Sequence, residues 1–97
     1  MTPEKRLEQY TLRYPQEVLL LDVELEGEAD QILIFKGFSS SLMNPTAYDP
    51  DVPVLAEEAK ILSIDRASSP YNPDNPQYIE QNISWDTMEN RLTELGL

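Results

Sequence analysis

Five carboxylates spaced at every second position are the side chains best placed to do chemistry in this chain. They are Asp22, Glu24, Glu26, Glu28 and Asp30. Alternate residues of a β-strand point to the same side, so the pattern predicts a hairpin with one strongly acidic face. Such a face could bind a divalent cation or attract a basic partner.

The spacing of these carboxylates disfavours a cation site. Alternate strand positions lie about 6.5–7 Å apart, whereas calcium ligands lie about 2.3–2.6 Å from the ion. A second candidate, Asp49 followed by Asp51, resembles the start of a calcium loop. Pro53 and Val54 stand where that loop requires a further ligand and a glycine. Binding of a small ligand or divalent cation is kept as the alternative function.

Two absent residue types exclude most enzyme classes. The chain has no cysteine and no histidine. It therefore has no thiolate nucleophile, no zinc site with sulfur ligands and no Ser/His or Cys/His pair. We expect a protein without enzymatic activity and without a cofactor.

The charge of the chain restricts its partners. Eighteen acidic and seven basic residues give a net charge of −11. A field of this sign repels phosphate backbones and anionic membranes and favours basic partners. The sequence also contains no apolar run long enough to span a membrane, and its first ten residues do not form a signal sequence. We expect a cytoplasmic protein that binds a protein partner, favours a basic one, and binds no nucleic acid.

A proline-punctuated stretch after residue 37 contains the candidate contact residues. Phe38, Met43 and Tyr48 lie there, and aromatic and methionine side chains are enriched in protein interfaces. The alternative is that they pack over an open end of the sheet. The predicted partner-binding set joins this stretch to the acidic hairpin and comprises Phe38, Met43, Tyr48, Asp49, Asp51, Glu24, Glu26 and Glu28.

Two helices are predicted, one near each end of the chain. The first begins at the N-cap Thr2 and ends before Pro15, and the second begins at the N-cap Ser84 and ends at Gly96. Each has one apolar stripe at helical spacing. The stripes are Leu7, Tyr10 and Tyr14 in the first helix, and Trp85, Met88, Leu92 and Leu95 in the second.

Three strands are predicted between these helices. Residues 18–25 and 31–36 should pair as a hairpin with its turn at residues 26–30, and the second strand, apolar on both faces, should be central. Gly37 should bend or bulge that strand, and the serines at 39–41 favour a loop. In the third strand, residues 60–66, alternation places Leu62 and Ile64 on one face and Ile61 on the other.

These elements predict a single domain over residues 1–97 of the α+β class. We expect a small antiparallel sheet or a partly open SH3-like or Sm-like barrel, with an N-terminal and a C-terminal helix. The Sm-like analogy would suggest RNA binding, which the negative charge disfavours.

Several long phrases resemble a small protein family of cyanobacteria with plastid counterparts in plants. They are EVLLLDVELEGEADQILIFKGFSSSL, PTAYDPDVPVL, ILSIDR and PYNPDNPQYIEQNISW, and the resemblance extends over about residues 6–91. The resemblance implies a phototroph as the setting, and it supplies no activity and no catalytic residues. We therefore expect a non-enzymatic protein–protein interaction or assembly module.

Overall fold

The computed structural model describes residues 2–41 and 59–97. The described elements are, in chain order, α1 (Pro3–Arg13), β1 (Glu17–Leu25), β2 (Glu28–Phe35), β3 (Phe38–Ser41), β4 (Lys60–Ser68), β5 (Tyr78–Ile83) and α2 (Trp85–Glu94). The strands form one open antiparallel sheet in the order β3-β2-β1-β4-β5. The predicted α+β class with a helix at each end is confirmed, and the described strands do not close into a barrel.

Both helices begin where the sequence predicts. The Thr2 hydroxyl accepts a hydrogen bond from the Lys5 backbone N–H at 3.2 Å, with Pro3 in the first turn. The Ser84 hydroxyl accepts from the Thr87 N–H at 3.2 Å. Each cap satisfies a backbone donor that has no partner inside the helix.

The two helices pack on one face of the sheet, and β1 runs through its centre. Leu19 and Leu21 of β1 face the helices, while Val18 and Leu20 point to the opposite face, and all four are at most 2% exposed. In β2, by contrast, Leu33 is only half-buried. The prediction that β2 is the strand covered on both faces is therefore wrong, because that strand is β1. The core cluster consists of Leu7, Tyr10, Leu19, Leu21, Val23, Ile32, Ile34, Ile64, Ile83, Met88 and Leu92.

The β1–β2 pairing is confirmed, but its turn is shorter than predicted. Leu25 pairs directly with Glu28, so the turn contains only Glu26 and Gly27. Both have positive φ, 53° and 80°, as a type I′ turn requires. The predicted five-residue turn over 26–30 is therefore wrong, and residues 28–30 belong to β2.

A second turn of the same kind replaces the predicted bend at Gly37. Lys36 and Gly37 have φ of 50° and 82°, and Phe35 pairs with Phe38 across them. The chain therefore reverses and adds β3, where the serine run had indicated a loop. A Cβ atom at Gly37 would lie 3.0 Å from the Leu12 side chain, so helix α1 also favours glycine there.

A bulge in β4 changes the predicted alternation of that strand. Asp22 pairs with Ser63 and Val23 with Ile61, which leaves Leu62 as an extra residue. Ile61 and Ile64 therefore both contact the helix-covered core. The prediction that Leu62 and Ile64 share a face is wrong.

Strand β5 was not predicted from the sequence. Its pairing with β4 shifts register twice, and Asn82 within it has a positive φ of 58°. Two shifts in six residues hide the regular alternation by which strands are recognised.

Arginines of α1 hold the end of α2. The Arg6 guanidinium donates to the carbonyl oxygen of Leu97 and to the Thr93 hydroxyl, both at 3.1 Å. Arg13 donates to the Leu95 carbonyl oxygen at 2.6 Å. Cations at a helix C-terminus satisfy its free carbonyls and oppose its dipole, so these bonds fix the two helices to each other.

Candidate interaction surfaces

The five alternating carboxylates do not form one acidic face. In a hairpin with a two-residue turn, each even-numbered residue pairs with an odd-numbered one, and paired residues share a face. Even-numbered residues before the turn therefore lie on the opposite face from even-numbered residues after it. Glu24 pairs with Ala29, whereas Glu28 pairs with Leu25 and Asp30 with Val23. Asp22 and Glu24 therefore point away from the helices, and Glu28 and Asp30 point to the helix side. The prediction of a single acidic face is wrong.

Three of these acids form an exposed tip. Glu24, Glu26 and Glu28 are all exposed, and we call them the acidic tip. Asp30, in contrast, accepts hydrogen bonds from the Ser41 hydroxyl at 2.9 Å and from the Gln31 N–H at 2.7 Å. Asp30 therefore contributes to the β2–β3 pairing, while the acidic tip projects into solvent.

Phe38 is the most exposed large apolar side chain among the described residues. It is 79% exposed, and Leu12 of α1 is 54% exposed. Leu12 packs against Gly37, the residue next to Phe38. Ser39, the next residue of β3, faces α1, so the Phe38 side chain points to the other side of the sheet. The two exposed side chains lie on either side of the Gly37 turn, and we refer to them together as the Leu12–Phe38 patch.

The described members of the predicted partner-binding set, Phe38 and the three residues of the acidic tip, are not brought together. The acidic tip lies at one end of β2, and Phe38 lies beyond the other end. At about 3.4 Å per residue, the strand separates them by roughly 25 Å. Met43, Tyr48, Asp49 and Asp51, the other members of that set, lie outside the described residues.

A row of polar side chains joins α1 to the β2–β3 hairpin. The Thr11 hydroxyl accepts from the Gly37 N–H at 2.9 Å and donates to the Glu8 carbonyl oxygen at 2.8 Å. The Glu8 carboxylate accepts from the Ser39 hydroxyl at 2.7 Å and lies 3.3 Å from the Lys5 ammonium. Sequence reasoning missed this row because glutamate and threonine on a helix usually face solvent, yet both are buried here.

A network of ion pairs connects both helices to the sheet. Glu17 accepts from the Tyr10 hydroxyl at 2.9 Å and from the Arg66 guanidinium at 2.6 Å. Arg66 also donates to Glu80 at 3.0 Å, and Arg91 donates twice to Glu80 at 2.7 and 2.8 Å. These bonds link α1, β1, β4, β5 and α2. The residues are far apart in sequence, so only the tertiary fold reveals the network.

The network shifts the pKa values of several of its members, including those of Tyr10 and Glu80. Burial of the hydroxyl, then its hydrogen bond to the Glu17 carboxylate, raises the pKa of Tyr10 to about 12. Hydrogen bonds from Arg91 and then Arg66 lower the pKa of Glu80 to about 2. Tyr10 therefore stays protonated and Glu80 ionised at neutral pH, which suits a fixed structural bracing and gives neither group a proton to exchange.

A further exposed surface lies on the side of the sheet away from the helices. Asp22 and Asp65 lie on adjacent strands there, and Tyr78 pairs with Ala67 at the end of β4. Tyr78 is 41% exposed, and Leu62, the bulge residue, is 49% exposed. Val18, Leu20 and Ala67 on the same face are buried, so this exposed surface covers only part of the face. We call Asp22, Asp65 and Tyr78 the aspartate–tyrosine strip.

Within residues 2–41 and 59–97, the two carboxylates of this strip accept hydrogen bonds from uncharged donors. Asp22 accepts from the Ser63 hydroxyl at 3.1 Å and Asp65 from the Asn82 N–H at 2.9 Å. Desolvation of the hydroxyl, followed by the nearby Tyr71 and the carboxylate of Asp65, raises the pKa of Tyr78. The phenol therefore lies in the negative field of this strip.

Metal binding and membrane insertion find no support in the described part of the chain. Within residues 2–41 and 59–97, no three carboxylates come close enough to hold a metal ion together. Over the same residues, neither α1 nor α2 has the length and apolar character that crossing a bilayer requires.

The chain belongs to a protein family described as a domain of unknown function, DUF7734, which matches residues 4–92. No curated protein and no solved structure matches the chain. The family gives no activity, so a function has to be inferred from the geometry of these surfaces.

Proposed function

We propose that this protein is a non-enzymatic interaction or assembly module that docks a protein partner through the Leu12–Phe38 patch. The exposure of two large apolar side chains on either side of the Gly37 turn is the observation that supports it most. An exposed phenylalanine contributes nothing to the core, and aromatic side chains of this kind are the usual anchors of protein interfaces.

The patch is held in place before any partner arrives. Thr11 binds the Gly37 backbone N–H, and Glu8 binds Ser39, so α1 fixes the hairpin on both sides of Phe38. A contact surface that is already ordered loses less conformational entropy when it binds. This rigidity favours the interpretation that Phe38 docks a partner over the interpretation that it is exposed without a function.

The charge favours a protein partner over a nucleic acid. Each of the four arginines donates to an acceptor of the chain itself. Few bases therefore remain to neutralise phosphates, which supply most of the affinity for nucleic acids. We propose a basic protein as the partner and, from the resemblance of the long sequence phrases, the cytoplasm of a phototroph as the setting.

Photo-crosslinking from position 38 tests the proposal. A benzophenone analogue of phenylalanine replaces Phe38, and in a matched control it replaces Glu94, an exposed residue of α2. In a cyanobacterial lysate, position 38 should give one discrete crosslinked protein that position 94 does not. Adding Leu12→Asp should abolish that product. The same products from both positions, or none at any salt concentration, would refute the proposed docking site.

Small-ligand or cation binding is the alternative, and none of the described contacts favours it. A ligand that binds the native state must raise the melting temperature. Titration with calcium, magnesium and metabolite mixtures, read by thermal shift, would reveal such a ligand.

A further inference from the structure

Two lysines take part in no ion pair within the described part of the chain, and their surroundings differ. Lys5 and all four arginines bind acceptors of the chain itself. Lys60 lies opposite Glu24 on the neighbouring strand, at the acidic tip. Lys36 is exposed, and its ammonium lies 5.2 Å from the centroid of the Phe35 ring. In the described part of the chain, Lys36 is therefore the cation left for a partner.

Lys36 and two aromatic rings share one side of the sheet beside the Lys36–Gly37 turn. Phe35 pairs with Phe38, and paired residues point to the same side. That side is the one away from α1, and the Lys36 ammonium lies over the Phe35 ring there. Phe38 is 79% exposed, so this end of the face is open although Val18 and Leu20 on the same face are buried. We call Phe35, Lys36 and Phe38 the Lys36 corner.

We infer that the Lys36 corner receives a segment of the partner in which a carboxylate adjoins a large apolar side chain. The carboxylate binds the Lys36 ammonium, and the apolar side chain covers Phe38. A hydrogen bond between two charged groups is stronger than a neutral one, and an apolar contact beside it excludes water. This inference rests on the proposed function, because it names the chemistry that the partner presents at Phe38.

A local carboxylate is compatible with a partner that is basic as a whole. The net charge of −11 steers the approach of a basic protein over long range. A single ion pair acts at contact and fixes how the docked surfaces are oriented. The acidic tip lies roughly 25 Å from Phe38, so the two surfaces can contact different parts of one partner.

Two other occupants fit the Lys36 corner less well. A phosphate backbone would meet one lysine on a chain whose net charge is −11, and neutralised phosphates supply most of the affinity for nucleic acids. A second copy of the chain carries the same net charge, which opposes self-association.

Three peptides that differ at one position test the inference. Each contains one phenylalanine, preceded by glutamate in the first, glutamine in the second and lysine in the third, with serine and glycine elsewhere. They are titrated into isotope-labelled protein in about 0.3 M salt, which screens the long-range field. Amide chemical shifts at residues 36–40 report binding. The glutamate peptide should bind about threefold more tightly than the glutamine peptide, and the lysine peptide should bind most weakly.

A matched pair of lysine variants assigns this preference to one side chain. Lys36→Gln should remove the difference between the glutamate and glutamine peptides, whereas Lys60→Gln, at the acidic tip, should retain it. Phe38→Ser should weaken the binding of all three peptides, because each covers that ring with its phenylalanine.

Three results would overturn the inference. They are equal or tighter binding of the lysine peptide, no shifts at residues 36–40 at millimolar peptide, and shifts there that appear without peptide as the protein concentration rises. A specific crosslink from position 38 combined with any of these would leave the proposed docking site standing and exclude only this partner chemistry.

Discussion

The two hairpins of this sheet have the same turn and opposite surroundings. Glu26–Gly27 and Lys36–Gly37 are both two-residue turns with positive φ at each position. Nothing lies within 4 Å of a Cβ built on Gly27, whereas Leu12 lies 3.0 Å from one built on Gly37. The first turn is fixed by backbone geometry alone and the second also by a helix. The comparison indicates that α1 holds the end of the sheet proposed for docking and leaves the acidic tip free.

Replacing each turn glycine by alanine should separate the contribution of backbone geometry from that of the contact with α1. Gly27→Ala introduces only the strain of a positive φ, which should lower the free energy of unfolding by about 1–2 kcal/mol. Gly37→Ala also displaces the Leu12 side chain, so we expect it to lower the free energy of unfolding by about 2–3 kcal/mol in total. The free energy of unfolding, measured by urea denaturation, checks both values.

A double-mutant cycle assigns the difference between the glycines to Leu12. In a Leu12→Ala background, Gly37→Ala should cost no more than Gly27→Ala, because the crowding atoms are gone. Equal costs for the two glycines in the otherwise unchanged protein would contradict the comparison.

Removing the Thr11 hydroxyl should weaken only the hairpin that the helix holds. Thr11→Val keeps the volume but leaves the Gly37 N–H without its acceptor, which should cost about 1–2 kcal/mol. Hydrogen exchange at the Gly37 amide should become faster, while exchange at Gly27 stays unchanged. Thr11→Ser is the control and should retain slow exchange at Gly37. Faster exchange at both glycines would indicate general loosening instead.

The ion-pair network braces the helix-held end of the sheet, and acid should weaken it. Glu17 lies at the start of β1, beside the second turn. The folded-state pKa of Glu80, about 2, lies below its ordinary value of 4.5, so its ionised form stabilises the fold above pH 4.5. That stabilisation is lost as the pH falls from 4.5 towards 2.

Urea unfolding over this pH range should isolate the contribution of Glu80. The loss of stability in acid should be smaller in Glu80→Gln, which has no carboxylate to protonate. Arg91→Gln removes the strongest hydrogen-bond donor to Glu80 and brings the pKa of Glu80 closer to its ordinary value. The loss of stability in acid should therefore be smaller and end at a higher pH. A Glu80→Gln profile parallel to that of the unmodified protein would refute this role for the network.

Local patterns predicted both helices and three of the five described strands, whereas long-range contacts determined the candidate site. The caps at Thr2 and Ser84 and the alternating run of β1 act within a few residues, so the sequence was enough to predict them. The face on which each acid lies depended on the length of the turn, because the number of turn residues decides which residues of β2 share a face with Asp22 and Glu24. Strand β3 depended on a turn at Lys36–Gly37 that α1 holds, and serines alone favour loops. The exposure of Phe38 was not encoded in its residue type.

Replacing Phe38 should have the smallest effect on stability and a decisive one on docking. At 79% exposure its ring contributes little to the fold, so Phe38→Ser should change the free energy of unfolding by less than about 0.5 kcal/mol. The Phe38→Ser variant should nevertheless no longer capture the partner that crosslinking from position 38 identifies. Phe35→Ser, a half-buried neighbour across the turn, is the contrasting variant and should lower stability more. If Phe38→Ser destabilised the fold as much as Phe35→Ser, the ring would be a packing residue, and the two hairpins would differ in anchoring alone.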